Sequence, residues 1–255
     1  MKRIYFFLIF LFTITINAQN NAVAAGEKLT YTASYNMSGI LTNLAEVTME
    51  TSAVKTSKAT LLRLKCTAAT YSKWDSFFKI RDLYESYVNP NTLTPYLYKR
   101  DINEGGYYKF MQYTFSYKTN TVKSIQRKKN NQEQKKDVSI KSGTKDIVST
   151  LYNIRLFDYK NMAVGTRKSL TILFDREEEK AQITYLGKET ISTAIGSKLC
   201  YKLAIGADEE VLKGGSNSNF LWLTADENKI IVYGKFSIPV GNGELKIKSA
   251  SGLKN

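Results

Sequence analysis

Apolar and polar side chains alternate along most of this chain. In Lys28–Asn36, Leu29, Tyr31, Ala33 and Tyr35 share one face while Thr30, Thr32 and Ser34 share the other. That period of two marks a half-buried strand. Leu41, Ala45, Val47 and Met49 continue it after a turn at Met37-Ser38-Gly39, and Ala59–Thr70 forms a third strand. The meander resumes with Asp82–Val88, a turn at Asn89-Pro90-Asn91-Thr92, then Thr94–Ile102, Tyr107–Tyr117 and Val122–Gln126. Further strands are expected at Lys168–Phe174, around Ala181, Ile183 and Tyr185, at Asn219–Thr224, at Ile230–Ile238 and at Glu244–Ala250.

One segment breaks the period. Ile147, Leu151 and Ile154, with Val148 and Tyr152 beside them, form an i, i+4, i+7 stripe. Thr144 stands where an N-cap is wanted and Asp146 falls in the first turn, so a helix over about 144–157 is predicted. Tyr71–Ile80 fits either a helical turn or a bulged strand. Arg127–Lys136 has no apolar residue and reads as a solvated hairpin loop, and Ala207–Asn219 is a polar, Gly-rich loop in which Gly214-Gly215 lacks the context of a phosphate cradle. The sum is a mainly β fold: a strongly curved antiparallel sheet or barrel-like meander with one main helix, because closure removes exposed edges.

The first 18 residues are expected to be removed. Met1-Lys2-Arg3 is a short cationic start, Ile4–Ile16 is apolar but too short to span a bilayer, and Asn17-Ala18 precedes a plausible cleavage point. Residues 19–25 then form a flexible lead and 26–255 a single all-β domain with no transmembrane segment. The expected location is the periplasm. Loss of Lys2 and Arg3 lowers the formal charge from +14 to +12.

The chain has no histidine, which removes Ser-His-Asp and Cys-His nucleophile systems and His-ligated zinc. No cofactor or metal is expected. Cys66 and Cys200 would travel to an oxidising space; they either form one long-range disulfide or remain two thiols, and Cys200 lies in phase with Lys198 and Lys202 instead of with the apolar face.

An ordered set of short motifs adds to this. It runs from Gly26-Glu27-Lys28-Leu29-Thr30-Tyr31 through Arg81-Asp82, Tyr84, Pro95-Tyr96, Arg100 and Glu104-Gly105-Gly106 to Asp146, Ser149, Leu151, Tyr152 and Arg155. Gly187-Lys188-Glu189, Gly196, Cys200-Tyr201-Lys202-Leu203 and Trp222-Leu223-Thr224-Ala225-Asp226 complete it. The set resembles the domain of unknown function 3108 family of exported bacterial proteins. The resemblance implies a periplasmic, mostly β protein with a curved or barrel-like body, and no activity.

The densest chemical signal is aromatic: Tyr84, Tyr87, Tyr96, Tyr98, Tyr107, Tyr108, Tyr113 and Tyr117 fall in three consecutive strands of one four-strand stretch. A concave sheet lined with tyrosine can hold an amphipathic ligand, while tyrosine also packs across strands with no ligand at all. Tyr84, Tyr96, Tyr98, Arg100, Tyr113 and Arg155 are the candidate ligand-binding residues, the arginines because a guanidinium fork grips phosphate or carboxylate at two points. The positive charge suits anionic lipid, lipopolysaccharide phosphate or acidic glycan, or serves only solubility; nucleic acid is not expected. Trp74-Asp75-Ser76-Phe77-Phe78 either closes one end of the barrel or touches a membrane or partner. Three functions follow: a non-enzymatic envelope protein holding a lipid-like ligand, a structural or assembly factor contacting another envelope protein, and a hydrolase with a carboxylate pair drawn from Asp82, Glu85 and Glu104.

Overall fold

A computed structural model describes residues 19–37, 40–129, 132–206, 218–238 and 241–255. The export signal expected over 1–18 and the Gly214-Gly215 stretch lie outside the described residues. Fourteen strands make one antiparallel sheet: β1 Lys28–Met37, β2 Ile40–Lys55, β3 Thr60–Thr70, β4 Arg81–Val88, β5 Pro95–Glu104, β6 Tyr107–Ser116, β7 Thr121–Lys128, β8 Gln134–Ser139, β9 Arg167–Phe174, β10 Glu177–Thr193, β11 Gly196–Gly206, β12 Phe220–Thr224, β13 Ile231–Ile238 and β14 Gly241–Ser251. Their spatial order is 8-7-6-5-4-3-2-1-14-13-12-11-10-9. Every pair of sequence neighbours is a hairpin except β8–β9. Those two strands are the sheet's two edges, and the helix lies between them in the chain.

The alternation sorts the side chains as the period demands. Leu29 and Tyr31 of β1, Met49 of β2, Leu62 and Leu64 of β3, Val88 of β4, Tyr98 of β5 and Met111 and Tyr113 of β6 are all buried in one continuous core. A second core lies against β10–β13, where Ile183, Tyr185, Tyr201, Leu203, Leu221, Leu223 and Ile231 pack on Ile154 and Tyr159.

The helix α1, Ile147–Asn153, continues into a single 3-10 turn at Ile154–Leu156. It is shorter than the predicted 144–157, and its cap is Asp146 and not Thr144. Asp146 Oδ1 accepts the Ser149 amide at 2.8 Å, whereas the Thr144 hydroxyl is drawn away to Glu178 Oε1 at 2.5 Å. Val148 and Tyr152 enter the first core and Ile154 the second, so this segment is packed between the two.

The sheet does not close by backbone pairing. Side chains join its two edges instead, and the segment before the helix pairs briefly with β9. The Arg176 guanidinium, just past β9, donates to the Gln134 carbonyl of β8 at 2.7 Å. Lys145 forms a parallel bridge with Ile172 of β9, which covers an edge that would otherwise be free to pair with another chain.

Residues 19–25 are docked, in contrast to the flexible lead expected of them. Ala22 and Val23 are buried, and Asn20 Oδ1 accepts the Val23 amide at 2.9 Å. Cys66 and Cys200 are free thiols; Cys66 packs against the first core and Cys200 lies within it.

Candidate functional site

Register fixes which candidate residues meet. Ser86 of β4 lies opposite Tyr98 of β5, Tyr98 opposite Tyr113 of β6, and Tyr113 opposite Ser124 of β7. One pleat along, Tyr84 lies opposite Arg100 and Arg100 opposite Met111. Tyr84, Tyr98, Arg100 and Tyr113 therefore share one face and converge. Tyr96 is in phase with Tyr98 by count, but the register breaks beside it, where Tyr87 pairs with Leu97 and Val88 with Pro95, and Tyr96 falls in that bulge; it is 42% exposed and takes a hydrogen bond from Asn89 at 3.3 Å. Arg155 lies elsewhere: its guanidinium holds the Glu27 carboxylate through two bonds of 2.7 Å and donates to the carbonyls of Asn228 and Ala22, each at 3.0 Å.

The converging tyrosines do not face an open hollow. Tyr98 stacks on Tyr113 with ring centres 5.5 Å apart, Tyr113 meets Phe115 edge-on at 6.3 Å, and Phe115 stacks on Tyr117 at 5.8 Å. Val148 and Tyr152 of α1 belong to the same core. Asp146 accepts the Ser86 hydroxyl at 2.7 Å, and the Tyr117 hydroxyl donates to the Thr144 carbonyl at 2.7 Å. The helix and these rings fill the space that a ligand would need, so Tyr98, Tyr113 and Arg155, all at most 2% exposed, are interior groups here.

Beside this row lies an ionic seat. The β9–β10 turn carries Asp175 and Arg176 at φ 46° and 75°, left-handed values that cost a non-glycine residue free energy. The conformation delivers Asp175 onto two buried cations, Arg100 and Lys109; the Lys109 contact is 2.7 Å. Burial opposes ionisation of Asp175, but Lys109 and Arg100 outweigh it and hold the carboxyl below its usual range. Arg176 accompanies it, donating its amide to the Tyr113 hydroxyl at 3.0 Å and its Nε to Ser124 at 2.8 Å.

The carboxylates separate into two kinds. Glu85 is engaged by Arg63. Glu104 and Asp82 are in hydrogen-bond contact; burial and that bond push Glu104 up to about 7 against the pull of Arg100. In glycoside hydrolases the two carboxyl groups stand roughly 5–9.5 Å apart to admit the bond being cut. Here the neighbouring Asp82 favours a proton on Glu104.

A further concavity lies where the sequence offered no candidate. β9 pairs with β10 only over Glu177–Thr184, so the far half of the β10–β11 hairpin projects past β9 and contacts β14. Between it and β1, β2, β13 and β14 lies an open groove of about 520 Å³. Ile191, Val232 and Ile247 give it apolar walls, Thr32, Ser34, Asn43 and Thr193 line it with polar atoms, and Lys246 and Lys248 bring positive charge. Each lysine also touches a carboxylate, Glu244 and Glu46 respectively, both at 2.8 Å. The one sequence signal for this site is Ile230-Ile231-Val232, where alternation stops; all three are buried, as in a strand covered on both faces.

The Trp74–Phe78 segment starts as a 3-10 turn, Ser72–Trp74. The Trp74 indole donates to the Asn43 carbonyl at 2.9 Å, and Asp75 is held by Arg81 at 2.6 Å and by the Thr70 hydroxyl. Phe77 is 74% and Phe78 45% exposed. Phe77 is open to solvent and Phe78 lies partly against Gly105, so these rings are not buried at an end of the sheet.

Among the described residues no helix is long and apolar enough to cross a membrane, and no group of three or more acidic or cysteine side chains is placed to hold a metal ion.

Fold and geometry together define an open, barrel-like antiparallel β protein. The sequence pattern of the proteins of unknown function DUF3108 matches residues 30–248, and the chain belongs to that family. Its structure is similar to the beta-barrel-like protein of domain of unknown function DUF1849 from Brucella abortus, with 7% identity and a TM-score of 0.57 over 88% of this chain and 96% of that one. A further match is a candidate exported protein with a YmcC-like fold from Bacteroides fragilis, with 10% identity and a TM-score of 0.33 over 89% and 96% of the two chains. No curated protein matches.

Proposed function

We propose that this protein is a non-enzymatic component of the cell envelope, exported to the periplasm, that holds an anionic amphipathic molecule with an acyl chain in the groove beside the β10–β11 hairpin. The observation that carries this is the groove itself. Its volume of about 520 Å³ lies in the range of small-molecule sites, its walls are in part apolar, and Lys246 and Lys248 stand where a phosphate or carboxylate head would rest. Lipid and the acyl chains of lipopolysaccharide belong to this class. An acidic glycan, with no chain to cover Ile191 and Val232, does not match it.

This reading moves the site away from Tyr84, Tyr98, Arg100, Tyr113 and Arg155, which pack the interior or pair with one another's neighbours. The test is native mass spectrometry of the protein after gentle extraction from its host, beside calorimetric titration with dodecyl phosphate. Ser192→Trp and Ala194→Trp, at exposed positions on the groove wall, should lower dodecyl phosphate affinity at least tenfold with the fold intact. A chain that carries no co-purified lipid and gives no saturable titration would act through its surface alone, as an assembly factor.

A further inference from the structure

We propose that the end of the sheet bearing Phe77 and Phe78 docks on the surface of an anionic lipid bilayer. In an up-and-down meander the turns that join an odd strand to the next even one fall at the same end, and among the described residues five of the nine large exposed apolar side chains lie at or beside three of these turns: Ile40, Leu41, Phe77, Phe78 and Tyr107. That concentration is what marks the end as an interaction surface, since scattered single exposures are ordinary.

The three turns are physically joined. The Trp74 indole rests on the Asn43 carbonyl at the start of β2. The Gly105 amide, in the β5–β6 turn, donates to the Lys79 carbonyl at 2.9 Å. The Phe78 ring lies against Gly105, so close that a Cβ there would stand 2.6 Å from it. The basic β7–β8 turn is adjacent: Lys129 Nζ donates to the Gly106 carbonyl at 3.4 Å.

Charge complementarity chooses the partner. Lys73, Lys79, Lys128 and Lys129 are exposed around the aromatic centre. Of the acidic groups at the same turns, Asp75 is engaged by Arg81, Glu133 by Arg127 and Lys135, and Glu104 lies against Asp82 with its carboxyl raised to about 7. Aromatic rings on a rigid turn, ringed by uncompensated lysines, match an anionic headgroup layer with acyl chains beneath it. This end adjoins the groove, which Leu41 and Asn43 also line, but the inference requires no bound small molecule.

Co-sedimentation with vesicles tests it. The protein without residues 1–18 should bind vesicles of phosphatidylcholine with 30% phosphatidylglycerol, and should bind phosphatidylcholine alone at least tenfold more weakly. Phe77→Ser with Phe78→Ser, and separately Lys73→Glu with Lys79→Glu, should each reduce binding at least fivefold with an unchanged thermal midpoint. Because the pairing is partly electrostatic, 0.5 M salt should also weaken it. Phe77→Trp should report insertion by a blue shift on vesicle addition. Absence of binding by the unmodified protein, or binding that both double variants retain, overturns the proposal; in that case the rings serve a protein partner instead.

Discussion

The guanidinium of Arg155, at the end of α1, lies on the carboxylate of Glu27, at the mouth of β1, through two parallel bonds of 2.7 Å, and both side chains are at most 2% exposed. Its remaining donors reach the Asn228 and Ala22 carbonyls, and Asn228 in turn binds the backbone of Asn255. One ion pair thus ties together the N-terminal segment, the helix, the β12–β13 turn and the chain's end. Removing one partner of a fully buried pair strands the other charge, at a cost of about 3–5 kcal/mol. Arg155→Met should lose that much in urea unfolding, Glu27→Leu a similar amount, and the double variant clearly less than the sum. Additive losses would show that the two groups do not act as a pair.

Tyr98 separates a packing role from a binding role. Its hydroxyl is buried with no hydrogen-bond partner among the described residues, a situation that costs free energy. Tyr98→Phe keeps the stack on Tyr113 and removes the stranded group, so stability should rise by about 1 kcal/mol. A loss of stability, or a loss of ligand affinity, would mean that the hydroxyl is used.

Glu104 gives the protein a pH signature. Its carboxyl is raised to about 7 from an unfolded value of about 4.3. Between these values the folded state holds a proton that the unfolded state has released, so this group's stabilisation is complete below the unfolded value and is lost as pH rises through 7. Glu104→Gln retains a donor toward Asp82 without the ionisation. It should raise stability at pH 8 by about 1 kcal/mol, discounted for the water that reaches this half-buried group, and change little at pH 5. An equal effect at both pH values would contradict the raised ionisation of Glu104.

The alternation of Leu29, Tyr31 and Ala33, and the same pattern in later strands, was legible because one face of each strand is buried, which leaves a period of two in the residues themselves. The helix was legible from Ile147, Leu151 and Ile154, but its cap was not, since Thr144 and Asp146 are both capping residues and the choice rests on Glu178, which sits across the sheet edge. The aromatic row of Tyr98 and Tyr113 was visible as composition; whether it lines a hollow or fills one depends on where α1 packs, a long-range fact with no local trace. The groove arises from a mismatch in length between β9 and β10, and only Ile230-Ile231-Val232 betrays it.

Burial pushes Cys66 up to about 12 and Cys200 up to about 11. Both thiols should therefore react with iodoacetamide at pH 8 at least roughly a hundredfold more slowly than free cysteine, and at the free rate once unfolded in guanidinium. A disulfide would instead block alkylation in both states until a reductant is added.

The central claim is that the interior is filled and that binding occurs in the groove beside the β10–β11 hairpin. Amide chemical shifts of the isotopically labelled protein, followed through a titration with dodecyl phosphate, test it most directly. The account predicts saturable shifts confined to Ile191–Ala194, Val232–Tyr233 and Lys246–Lys248, with Tyr98, Tyr113 and Tyr152 unmoved; shifts centred on those three tyrosines would show that the core opens to ligand and would contradict it.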